Sequence, residues 1–64
     1  MVALLTRNDI NSVVIFQGQE LPIKYRGKVR DCRIEQIEKA KGYIRVFDIT
    51  SNDYRTFTIN DIGK

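Results

Sequence analysis

Apolar and polar residues alternate from Leu21 to Arg26: Leu21, Ile23 and Tyr25 share one parity, Lys24 and Arg26 the other. A period of two is the signature of a strand with one side on a core and the other in water. Gly27 then supplies a turn. A second β-rich run follows from about Val29 to Glu38, with apolar residues at 29, 32, 34 and 37. That spacing changes parity midway, so this strand is expected to bend or to carry a bulge. Pro22 has no amide hydrogen to donate, which predicts that the first strand starts at a sheet edge.

The rest of the chain continues the pattern. Lys39-Ala-Lys-Gly42 reads as a turn. Tyr43 to Ile49 is predicted as a third strand with Tyr43, Phe47 and Ile49 on one face and Ile44 and Val46 on the other. A strand apolar on both faces is central in its sheet or lies inside a closed barrel. Ser51-Asn52-Asp53 has hairpin-turn chemistry, and Tyr54 to Ile59 returns as a fourth strand. Asn60-Asp61-Ile62 suits one helical turn that tucks Ile62 under the sheet.

The segment before these strands has two competing readings. Thr6 with Asp9 three residues later resembles a capping box, and Ile10, Val13, Val14 and Gln17 keep helical spacing. This favours a short helix ending at Gly18. The β-branched run Val13-Val14-Ile15 followed by Phe16 favours instead a strand from Ser12 to Gln17, paired with Leu21–Tyr25. Taken together, the chain is expected to be mainly β: a small antiparallel Sm-like barrel of four or five strands with a short N-terminal helix, one domain over residues 1–64. Closure would remove the free edges that template aggregation.

Composition narrows the function more than the fold. At 64 residues, folding hides only about 60% of the surface an unfolded chain exposes, so the core is marginal. A single cysteine, Cys32, excludes an internal disulfide, and a reducing cytoplasm is the expected home. Met1-Val-Ala-Leu-Leu5 is far too short for a signal-peptide core. No run approaches the roughly 20 apolar residues of a membrane span, so no membrane association is expected. The chain has no histidine, and with it lacks the usual general base and metal ligand. No phosphate-binding glycine loop or supported carboxylate pair is visible, so neither catalysis nor a cofactor is expected.

The net charge of +3 is unevenly spread. Residues 24–45 carry a net charge of +5, whereas residues 1–23 and 46–64 each carry −1. Such asymmetry points to an anionic partner. The densest stretch holds Lys24, Arg26, Lys28, Arg30 and Arg33 against Asp31 alone. Read as one strand face, alternate cations would lie about 7 Å apart, near the spacing of phosphates along a single strand. The competing explanation is that edge strands carry Lys and Arg to prevent sheet-to-sheet pairing.

Four short motifs, in order, resemble the WYL domain: Ile23-Lys-Tyr25, Arg33-Ile-Glu-Gln-Ile37, Gly42-Tyr-Ile44, and Arg55-Thr-Phe57-Thr-Ile59-Asn-Asp-Ile62. The likeness spans about residues 10–62. Gly42, Gln36 and Asp61 depart from it, standing where tryptophan, proline and arginine are usual. The resemblance implies an Sm-like barrel, usually with a helix before its first strand. It also implies that the domain binds nucleotides or nucleic acid within bacterial transcription regulators and defence proteins. There it follows a helix-turn-helix domain that has no counterpart in these residues, and a version this short suits a phage or mobile-element accessory protein. Tyr43 and Arg55 are the site residues that the resemblance carries over.

Tyr25, Tyr43 and Tyr54, with Arg45 and Arg55, have the composition of a base-stacking platform beside a basic groove. The ordinary alternative is that Tyr25 and Tyr43 are core rings with hydroxyls at the rim. Cys32 shares parity with Ile34 and reads as a small buried hydrophobe, and Asp48, Asp53 and Asp61 as turn and cap residues. The predicted nucleic-acid site is therefore Lys24, Arg26, Lys28, Arg30, Arg33, Tyr43, Arg45 and Arg55. Two other partners fit the same features: an acidic protein docking on the stripe or adding a strand at an open edge, and a second copy paired near Pro22.

Overall fold

The computed structural model describes residues 4–11 and 15–64. Its elements are a helix α1 (Arg7–Asn11) and four strands, β1 (Glu20–Tyr25), β2 (Lys28–Glu38), β3 (Tyr43–Asp48) and β4 (Asp53–Thr58). The strands form one antiparallel sheet in the order β1-β2-β3-β4. The chain is thus mainly β, as the alternation predicts, and four strands make its sheet.

Local chemistry accounts for the elements. The capping box forms reciprocally: the Thr6 amide donates to Asp9 Oδ2 at 3.0 Å and the Asp9 amide to Thr6 Oγ1 at 3.2 Å. The helix covers five residues and does not extend to Gly18, since Ile15 and Phe16 are non-helical and Gln17-Gly18 form a turn. The two readings of Ser12–Val14 lie outside the described residues. The parity change in β2 is a bulge between Ile34 and Gln36, which returns Ile37 to the apolar side opposite Ile44. Gly42 ends a short 3-10 turn (Lys39–Lys41) in the left-handed region at φ 82°, a conformation that glycine adopts without steric cost.

The core lies on one side of the sheet. Ile23, Cys32, Ile34, Ile44, Val46 and Phe57 reach it from the strands, and Leu5, Ile10, Ile15 and Ile62 cover them. Each fully buried aliphatic side chain here contributes about 1.5–3 kcal/mol. Ile62 follows a second 3-10 turn, Ile59–Asp61, and is 2% exposed, as its sequence position predicts.

The expected closed barrel does not form, because β1 and β4 share no ladder. Chain segments cover the outer edge of β1 instead. The Leu5 amide donates to the Pro22 carbonyl at 3.2 Å, the Gly63 amide to the Lys24 carbonyl at 2.8 Å, and Ile62 bridges Tyr25. Pro22 thus sits on the edge strand, but that edge is occupied within the chain. Across the remaining gap, Tyr25 stacks on Phe57 with ring centroids 4.2 Å apart, and its hydroxyl accepts from the Thr58 amide at 3.0 Å. A side chain therefore spans the gap where a ladder was expected. No helix among the described residues is long and apolar enough to cross a membrane.

Candidate anion-binding groove

The β1–β2 hairpin decides where the cations go. Its turn has two residues, Arg26 at φ 49° and Gly27 at φ 84°, the primed geometry that matches strand twist. Such a turn sets Tyr25 opposite Lys28, Lys24 opposite Val29, and Ile23 opposite Arg30. Directly paired residues share a face, so Lys28 and Arg30 join Ile23 and Tyr25 on the inner side. Lys24 and Arg33 lie on the outer side. The single stripe expected along 24–33 is divided between two faces, because parity inverts across a two-residue turn.

Arg55 also faces inward, paired with Val46. Between it and Arg30 lies Asp48, a carboxylate with no exposed surface. Asp48 Oδ2 accepts from Arg30 Nη1 and Arg55 Nε, each at 2.9 Å, and Oδ1 accepts from the Ser51 amide at 3.2 Å. Arg55 Nη2 also donates to Ser51 Oγ at 3.3 Å. Burial alone would raise the Asp48 pKa; the Ser51 hydrogen bonds and the two guanidiniums outweigh it and hold the carboxyl below its ordinary value. Asp48, read from the sequence as a turn residue, is instead the last residue of β3; its buried carboxylate accepts from the Ser51 amide of the following turn and is the hub of an ion triad.

An open groove of about 430 Å³ runs beside this triad, lined by Tyr25, Arg26, Lys28, Arg30, Tyr54, Arg55, Thr56 and Phe57. Arg26 lies 5.4 Å from the Tyr25 ring centroid and pairs with Asp61 at 3.1 Å, which raises the guanidinium pKa. Lys28 forms no ion pair among the described residues. The four groove cations and the two carboxylates that they bind, Asp48 and Asp61, leave a net charge of +2. Each guanidinium has five N–H donors and spends one on its carboxylate. The groove therefore offers guanidinium donors and the Lys28 ammonium to an anion, beside the exposed ring of Tyr54.

The other predicted residues are elsewhere. Arg33, Phe47 and Tyr54 form a row across the outer face. Arg33 lies 5.2 Å from the Phe47 ring and Phe47 packs edge-on to Tyr54 at 5.0 Å. Arg33 also binds Glu35 at 2.6 Å, which raises its pKa. Arg45 is exposed on the same face opposite Gln36, and Tyr43 is half-buried opposite Glu38. Of the eight predicted site residues, the fold brings four into the groove: Arg26, Arg30, Lys28 and Arg55.

The chain matches no family model, no curated protein and no solved structure. The groove must be judged on its own chemistry.

Reading the sequence by motif overlooked Asp48 and Asp61 as anchors for arginines. Parity carried the signal for the first. Asp48 continues the apolar series Ile44, Val46, and Arg55 belongs to the series Arg55, Phe57, Ile59. A carboxylate and a cation on core-facing parities of adjacent strands require each other, since neither ion is buried cheaply alone. Cys32 is buried as expected, and burial foremost raises its thiol pKa to about 11. That leaves it a poor nucleophile.

Proposed function

We propose that this chain is a non-catalytic binding module that takes a nucleic acid or nucleotide into the groove beside the Arg30–Asp48–Arg55 triad. The observation that carries this reading is the convergence of Arg26, Lys28, Arg30 and Arg55 on one open groove walled by Tyr25, Tyr54 and Phe57. Phosphate would meet the cations, and a base could stack on the exposed Tyr54 ring at the groove's rim. The role is that of a small regulatory or accessory protein, of the kind phages and mobile elements encode. The WYL likeness, which rests on the four short motifs in the sequence, supports the same ligand class.

Fluorescence anisotropy with labelled single-stranded oligonucleotides tests it. Lys28→Glu is expected to weaken binding at least tenfold, whereas Arg45→Glu, on the outer face, changes it less than threefold. Equal losses from both variants would mean diffuse attraction by net charge, and the groove would lose its claim.

A second reading, a protein-interaction module, is favoured by a separate observation: β4 pairs with no further strand on its outer side among the described residues.

A further inference from the structure

The two edges of the sheet differ. The β1 edge is covered by Leu5 and by Ile62–Lys64. On β4, the Thr58 amide points away from β3, since it donates to Tyr25 Oη at 3.0 Å. Strand alternation then directs the backbone groups of Thr56 and Tyr54 outward as well. Neither has a backbone partner beyond the β3 ladder among the described residues. Natural edge strands are guarded by lysine, proline or a bulge. β4, with the sequence Asp-Tyr-Arg-Thr-Phe-Thr, has no lysine, proline or bulge; its one inward-pointing charge, Arg55, is a guard of another kind but is neutralised by Asp48.

We infer that the β4 edge at Tyr54–Thr56 accepts an extended segment of a partner protein that carries carboxylates on its inward face. The partner's backbone bonds to the outward N–H and C=O groups of Tyr54 and Thr56. Its inward side chain opposite Arg55 enters the groove that Arg55 shares with Lys28 and Arg30. Charge selects an acidic residue at that position, because the groove is net positive. The paired zone ends where the Tyr25 hydroxyl caps Thr58, so the segment is short. This inference goes beyond nucleic-acid binding and does not require it: the edge supplies the backbone bonds and the groove only the charge preference.

The test uses a labelled decapeptide of alternating threonine and glutamate, read by anisotropy against the whole chain. Three comparisons follow: the same peptide N-methylated at alternate amides in either register, a threonine–lysine peptide, and the variant Thr56→Pro. Proline at an outward amide removes one edge donor and leaves the β3 ladder intact. The acidic peptide is expected to bind. One N-methylated register and Thr56→Pro should each weaken it at least fivefold, and the lysine peptide should not bind. Displacement of a bound oligonucleotide by the acidic peptide would support a shared groove. Binding of the peptide without any binding of oligonucleotides would uphold this inference and refute the nucleic-acid reading. Equal binding of both N-methylated peptides would overturn the inference, since charge alone would explain the attraction. A dimer abolished by Thr56→Pro would overturn it too, because a second copy would then occupy the edge. The N-methylated arm stands even if Thr56→Pro fails to fold.

Discussion

Replacing Asp48 with asparagine removes one charge from the most buried polar site described. Two charge-assisted hydrogen bonds, each 2.9 Å long, lose their ionic acceptor. Bonds of that kind contribute about 1.5–3 kcal/mol each. Three things reduce the sum. The Arg30 and Arg55 side chains are 22% and 34% exposed and can turn to water. Asparagine keeps an oxygen for the Ser51 amide. The desolvation cost of the carboxylate also disappears. The expected loss is therefore about 2–4 kcal/mol. A domain of 64 residues has about 3–10 kcal/mol in total. With a urea m-value near 1 kcal/mol/M, the midpoint of Asp48→Asn should fall by about 2 M or more. The pH dependence has a definite sign. Because the folded-state pKa of Asp48 is depressed, its contribution is present above the unfolded value of about 3.9 and is lost as pH falls through the lower folded value. Wild type should therefore lose stability on acidification below about pH 4, and Asp48→Asn should lose less over that range. A variant midpoint within about 0.5 M of wild type at neutral pH would refute the claim that the triad holds β2, β3 and β4 together.

Three other outcomes follow from particular contacts. Arg26→Asn places an Asn-Gly pair in a turn whose two residues both have positive φ; stability should hold or rise, by up to about 1 kcal/mol in urea titration, while oligonucleotide affinity drops. The lost pair with Asp61 costs little, because the Arg26 side chain is 70% exposed. Tyr25→Phe removes the acceptor of the Thr58 amide, so hydrogen exchange at Thr58 should quicken and stability should fall by about 0.5–1.5 kcal/mol. Cys32, fully buried with its thiol pKa near 11, should react with iodoacetamide at pH 8 only as fast as the chain opens. Labelling that outpaces core amide exchange would contradict its placement.

Strand placement was legible because local signals agreed. The apolar positions of β2 change parity at the bulge, Pro22 sits where no ladder needs its amide, and Thr6 and Asp9 cap a helix turn. Closure was not legible, because whether β4 meets β1 depends on geometry outside either strand. A tyrosine hydroxyl and the last residues fill that gap. The division of the basic stripe was missed for a definite reason. Counting every second residue from Lys24 to Arg30 treats the hairpin as one strand, yet the Arg26-Gly27 turn exchanges the two faces. The aromatic candidates separated likewise: Tyr25 belongs to the inner side, and Tyr43 and Tyr54 to the outer, with Tyr54 on the edge strand also bordering the groove.

If the groove's cations meet phosphate, oligonucleotide affinity must fall with salt, and that dependence is the most direct test. Engaging two to four phosphates on a single strand predicts a slope of about −1.5 to −3 for log affinity against log salt. Lys28→Ala should make that slope shallower by about 0.7. Affinity independent of salt, or the same slope in Lys28→Ala as in wild type, would contradict phosphate contact in the groove.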